Sequence, residues 1–142
     1  MTISLTTTSA HPRRLGRSAG ALLLGFITIV VLSLGTDEVL HIVKVYPPWG
    51  QPLYDAGLCL LALSYRIVYT IAGNYITARY APYAPMGHAL ALGVVGFIAG
   101  GAGAIATIPM HLSPDWYPIA IVVTALPCAW LGGVLYRARQ AK

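Results

Sequence analysis

Four long apolar stretches, at about 18–43, 54–77, 86–108 and 116–135, set the rhythm of this chain, and short segments rich in proline and aromatic residues separate them. None alternates apolar and polar residues in runs of about 10, as a membrane-spanning strand would. Each reaches the roughly 20 residues that a helix needs to cross about 30 Å of hydrocarbon. The pattern predicts an all-α membrane protein, with four transmembrane helices in an antiparallel bundle forming one domain over 18–136. Residues 1–17 then read as a mobile N-terminal tail and 137–142 as a basic C-terminal tail.

Composition supports this reading. The chain is 57% hydrophobic and only 9% charged, against about 25% charged residues in soluble domains. A soluble fold needs charge to cover its surface, so the shortage points to lipid as the outer solvent.

The net charge of +5 raises nucleic acid as a partner, but its distribution argues against one. Arg13, Arg14 and Arg17 precede the first span, Arg79 closes the second, and Arg137, Arg139 and Lys142 follow the fourth. Between spans 1 and 2 only Lys44 is basic, and the connection between spans 3 and 4 holds no Lys or Arg. The positive-inside rule therefore puts both termini in the cytoplasm. Anionic headgroups at that face are the partner the basic residues imply. Tyr46, Trp49, Tyr54, Trp116 and Tyr117 suit a belt at the opposite surface. Ser113 followed by Pro114 reads as the cap and first position of helix 4.

Small residues suggest how the helices pack. Gly96, Gly100 and Ala104 recur at four-residue spacing in span 3, and Gly73 lies in span 2. Such residues let backbones approach closely where lipid supplies no hydrophobic drive. The contact is expected within the chain, with a homo-oligomer or another membrane protein as the alternative partner. Cys59 and Cys128 sit at different depths in their spans, so a disulfide is not expected.

The candidate chemistry is in span 2. A stripe of Ala62, Arg66, Tyr69 or Thr70, Gly73, Asn74 and Thr77 shares one helical face. Facing lipid, Arg66 would cost about 2.5–3.5 kcal/mol on insertion scales, so it should face inward to an acceptor. Arg66 lies roughly 16 Å along the axis from Asp55, and Asp37 and Glu38 lie roughly 10–12 Å below the far end of helix 1 if that helix runs to about residue 45. The difference is within reach of a leaning guanidinium. The expectation is a buried network of Asp37 or Glu38, His41 and Arg66, with Tyr69 as a cation–π or hydroxyl neighbour and Asn74 further along the stripe. The competing reading ends helix 1 near Gly35 and leaves Asp37, Glu38 and His41 in headgroup water.

No pair of histidines has ligand spacing, and no GxSxG, HExxH or phosphate loop occurs. Neither a metal, a cofactor nor an enzymatic activity is expected. The segments "GTDEVLH", "YPPWGQP", "YRIVYTIAGNYITARYAP", "PMGHALALG" and "WYPIAIVVTALPCAWLGG" resemble a group of small bacterial integral membrane proteins of four predicted helices. That resemblance spans 34–133; it implies membrane location and span count, and no activity. The function expected is a non-enzymatic membrane module stabilised by the network around Arg66. The alternative is a small oligomeric transporter or ion-coupled carrier using Arg66 and the acids of helix 1.

The start of the chain, "RRLGRSAGALLLGFITIVVLSLG", also resembles a secretory signal, with Ser33 and Gly35 placed like a cleavage site. The length of the apolar run and its resumption at "VLHIVKVY" favour retention as a spanning helix. Intact mass of the membrane-purified protein should therefore include residues 1–35; a mass lacking them would leave three spans.

Overall fold

A computed structural model describes residues 12–142. Residues 1–11 of the expected tail lie outside the described residues. The chain is all-α: α1 (Pro12–Ile42), α2 (Ala56–Tyr80), α3 (Pro85–Thr107), a single 3₁₀ turn (Ile108–Met110) and α4 (Trp116–Gln140). All four helices are long and apolar enough to cross a membrane. Residues 12–17, read from sequence as tail, belong to α1.

Local chemistry fixes where the helices start and stop. α1 passes through Gly35 without a break and ends in a Schellman arrangement. The Val45 amide donates to the Leu40 carbonyl at 2.9 Å and the Lys44 amide to the His41 carbonyl at 3.1 Å. Lys44 takes the left-handed position of this cap, at φ 60°, where glycine is the usual residue. α2 begins at Asp55, whose carboxylate accepts from the Leu58 amide at 2.8 Å. It ends as Ala81, just before Pro82, turns to the extended conformation (ψ 131°) that a following proline favours. Pro85 opens α3 at a position where a missing N–H costs nothing. Ser113 does not cap α4. The capping position falls at Asp115, whose side chain makes no capping bond, and Pro114 stays outside the helix. The preceding residues are committed elsewhere: the Leu112 carbonyl accepts from the Leu53 amide at 2.7 Å, and the His111 carbonyl from the Tyr54 hydroxyl at 2.5 Å. These bonds tie the two connections together before α4 can start.

The packing inverts the pattern of a soluble protein. Buried positions are small, including Ala21, Ala62, Ala78, Ala89, Ala125 and Ala129. Large aliphatics point outward: Ile105 is 78% exposed and Val123 61%. Lipid solvates a Leu or Ile as well as a protein core does, so helix association falls to close backbone approach at small residues. Gly25 of α1 meets Gly73 of α2: a Cβ added to Gly73 would sit 2.7 Å from the Gly25 carbonyl oxygen. Nearby, the Thr77 hydroxyl donates to the Ala21 carbonyl at 3.1 Å. Gly132 of α4 rests on the α2 backbone at Ile71 and Tyr75, and Gly93 of α3 on Ala129 of α4. α2 and α3 therefore both pack on α4, while α1 is held chiefly by α2. Cys59 and Cys128 are free and buried.

An added methyl at Gly132 would lie 2.7 Å from the Ile71 carbonyl oxygen and 2.9 Å from the Tyr75 nitrogen, both backbone atoms. Gly132→Ala is expected to destabilise by about 1–3 kcal/mol. Gly101 has nothing within 4 Å of such a methyl, so Gly101→Ala should be neutral or stabilise by up to about 1 kcal/mol. Thermal melts of the two variants in one detergent read the contrast; equal melting temperatures would contradict the α2–α4 contact.

Candidate functional site

Arg66, nearly three turns into α2, points into the bundle. Its Nη2 donates to Asp37 Oδ2 at 2.5 Å, forming an ion pair with α1. Its Nε donates to the Tyr117 hydroxyl of α4 at 3.2 Å. The second Asp37 oxygen accepts from the Tyr65 hydroxyl. With the Tyr65 proton used there, the Tyr46 hydroxyl is the donor in its 3.2 Å bond to Tyr65. Burial raises the Tyr46 phenol above its ordinary range, which keeps it protonated for that role. One polar chain thus runs from the 43–55 connection through α2 and α1 to α4. The Arg66 guanidinium also lies over the Tyr65 ring, 5.6 Å from its centroid.

The structure brings Asp37 and Arg66 together and separates the other residues expected beside them. Glu38 is one residue, about 100° of helix, beyond Asp37; it is exposed, and its Oε2 accepts from Trp49 Nε1 at 3.2 Å. His41 shares the face of Asp37 but bonds away from it. Its Nδ1 donates to the Pro47 carbonyl at 2.7 Å, and its ring stacks on Trp49 with centroids 3.9 Å apart. Glu38 and His41 therefore hold the 43–51 segment down over the end of α1. Tyr69 is a turn past the pair. The Thr36 hydroxyl spends its proton on the Leu32 carbonyl at 2.8 Å and so accepts from Tyr69 at 2.9 Å. The cation–π partner is Tyr65, not Tyr69. Asn74 lies farther still, with Nδ2 on the Thr70 carbonyl at 2.7 Å. It is buried at the α2–α4 contact, and its Oδ1 has no partner among the described residues.

Tyr65, Tyr117 and Tyr46 complete the site and were not legible as such. Tyr46 and Tyr117 stand where belt aromatics stand, and Tyr65 falls off the stripe that contains Arg66. One signal was available: a guanidinium buried against a single carboxylate still has donors to satisfy, and tyrosines were the nearest acceptors along the neighbouring spans.

A cavity of about 420 Å³ lies against this polar chain. All four helices line it: Asp37 and His41 from α1, Ala62 and Arg66 from α2, Gly100, Gly103, Ala104 and Thr107 from α3, and Tyr117, Pro118 and Ile121 from α4. The 46–53 and 112–113 segments form its roof. This revises the reading of span 3. Gly96 faces α4, where an added Cβ would be 4.0 Å from the Ala125 Cβ, but Gly100 and Ala104 also wall the cavity. The tight α3–α4 contact is at Gly93, three residues before Gly96. Small residues at the far end of α3 leave space instead of closing it.

Chemically, the site offers one neutralised charge pair, a free guanidinium edge and three phenols in apolar walls. Among the described residues, no three of His, Cys, Asp or Glu gather as metal ligands. No protein-family model, curated protein or solved structure matches the chain.

Removing one partner of a buried pair strands the other. Arg66→Ala should cost about 3–5 kcal/mol by leaving Asp37 uncompensated. Glu38→Ala loses one exposed bond and should cost less than about 1 kcal/mol. Melting curves of the two purified variants test this, and coincident curves would contradict the pairing.

Proposed function

We propose that the chain is a multi-pass protein of the bacterial cytoplasmic membrane, one of a group of small four-helix membrane proteins, working as a non-enzymatic membrane module. Both termini are cytoplasmic and the helices run antiparallel. Several features support that orientation. Arg79, Arg137 and Arg139 lie in the last turns of α2 and α4, with Arg14 and Arg17 in the first turns of α1. The last third of α1, at Asp37, meets the first half of α2, at Tyr65 and Arg66. Exposed aromatics mark both levels, Trp49, Tyr54 and Trp116 at one, Tyr80 and Tyr83 at the other.

The observation that carries the module reading is the Asp37–Arg66 pair with its tyrosines, which joins three helices inside their apolar length. Such a pair fixes the register and rotation of the helices it links without implying that anything moves across them. A second reading, a small carrier working as an oligomer, is favoured by the cavity that reaches Arg66.

Two measurements test the assignment. A C-terminal fluorescent protein should fluoresce, and alkaline phosphatase fused at Gly50 should be active; the reverse pattern overturns the orientation. Proteoliposomes carrying the purified protein should remain tight to protons and small ions. A flux that disappears in Arg66→Leu would move the assignment from module to carrier.

A further inference from the structure

We infer that the cavity beside Arg66 is a binding site for a small organic carboxylate with an apolar, ring-sized body, and that Arg66 is the group that recognises the carboxylate. This goes beyond the module reading and holds whether the chain is a module or a carrier.

The first argument is donor accounting. A guanidinium carries five N–H donors. Arg66 spends one on Tyr117 and one on Asp37, and three have no protein acceptor among the described residues. Nη1, which donates to no protein atom among the described residues, is not among the buried, unpartnered polar atoms, and Arg66 lines the cavity. An arginine edge with adjacent free N–H groups matches a carboxylate in two parallel bonds.

The second argument is which member of the pair faces the space. The Arg66 side chain is 24% exposed and that of Asp37 10%. Both Asp37 oxygens already accept a bond, from Tyr65 and from Arg66. Asp37 also borders the cavity, but it is the less exposed of the two and acts as a positioning residue that holds the guanidinium in place, so an entering group meets chiefly the cation. Charge balance limits affinity, because an anion entering makes two negative groups share one positive one. The Tyr65 hydroxyl offsets part of that cost by bonding the carboxylate of Asp37.

The third argument is shape. A volume of about 420 Å³ falls within the roughly 300–1,000 Å³ of small-molecule sites. Beyond the polar corner the walls are Ala62, Ala104, Ile121 and Leu112, with Trp49 in the roof. Small inorganic anions would leave these walls uncovered; a ring would cover them. Gly103 also lines the cavity, with nothing within 4 Å of a Cβ built there.

The test uses the full chain in lipid nanodiscs, with empty nanodiscs subtracted, and ligand-observed NMR titrations of benzoate, benzamide, benzylamine and inorganic phosphate. A ligand of benzoate's size binds on the order of millimolar at ordinary efficiencies, so titrations must extend beyond that range. Benzoate should saturate, with the other three at least about tenfold weaker, the ratio set by one charge-assisted hydrogen bond. Gly103→Leu, which fills the cavity away from the ion pair, should weaken benzoate by roughly tenfold or more without lowering the melting temperature. The double variant Asp37→Asn, Arg66→Gln, which removes both charges, should lose the preference for benzoate over benzamide. Absence of saturable benzoate binding overturns the inference. So does benzamide or phosphate binding as tightly as benzoate, benzylamine binding more tightly, or unchanged benzoate affinity in Gly103→Leu. The ligand comparison is made on the unaltered chain, so it decides the matter even if a substitution disturbs folding.

Discussion

A carboxylate and a guanidinium 2.5 Å apart, in helices that are mostly apolar, constrain the rest of this bundle. Each charge alone would be expensive at such a position, and attraction in a low-dielectric interior is large only when the geometry is met. Asp37 and Arg66 therefore set α1 against α2 more sharply than apolar contacts could. Sliding α1 by one residue moves Asp37 by about 1.5 Å and turns it by about 100°, and Glu38 shows the consequence of that turn: it points outward to Trp49. Tyr117 extends the constraint to α4, because Arg66 Nε needs an acceptor there. The pair is a specificity device first; its net stabilisation over an apolar substitute need not be large.

The bundle has a closed end and an open end, built from the same kind of residue. At the closed end, Gly25, Gly73, Gly93 and Gly132 put backbone against neighbouring helices. At the other end, Gly100, Gly103 and Ala104 border a cavity. What differs is the side opposite. Gly132 meets the α2 backbone and Gly93 meets Ala129, while nothing lies within 4 Å of a Cβ built at Gly103. Glu38 and His41 contribute to the cavity roof through Trp49 and Pro47. A glycine in an apolar helix thus marks a place where side-chain volume is withheld; whether a backbone or a void takes the space depends on the neighbour.

Much of this was legible along the chain. Span lengths and the depth of Arg66 against the helix 1 acids follow from rise per residue and the cost of charge in hydrocarbon. The depth argument narrowed the partner of Arg66 to Asp37 or Glu38 and could go no further, because adjacent residues have the same depth and differ only in azimuth. Azimuth also separates Tyr65 from the Arg66 stripe and hides its bond to Asp37. The roles of Tyr46 and Tyr117 were masked by a stronger local expectation, since aromatic residues near span ends fit a surface belt equally well.

By itself, the sequence determined four apolar helices, the ends at which their charges collect, and a cation at a depth where it must turn inward, because these depend only on distance along the chain and transfer energies of single residues. Only the tertiary structure decided which acid answers that cation, which tyrosines surround it, where glycine closes a contact and where it leaves a cavity. Those outcomes depend on the rotation of each helix about its axis, which is fixed by all its neighbours together and by no single segment.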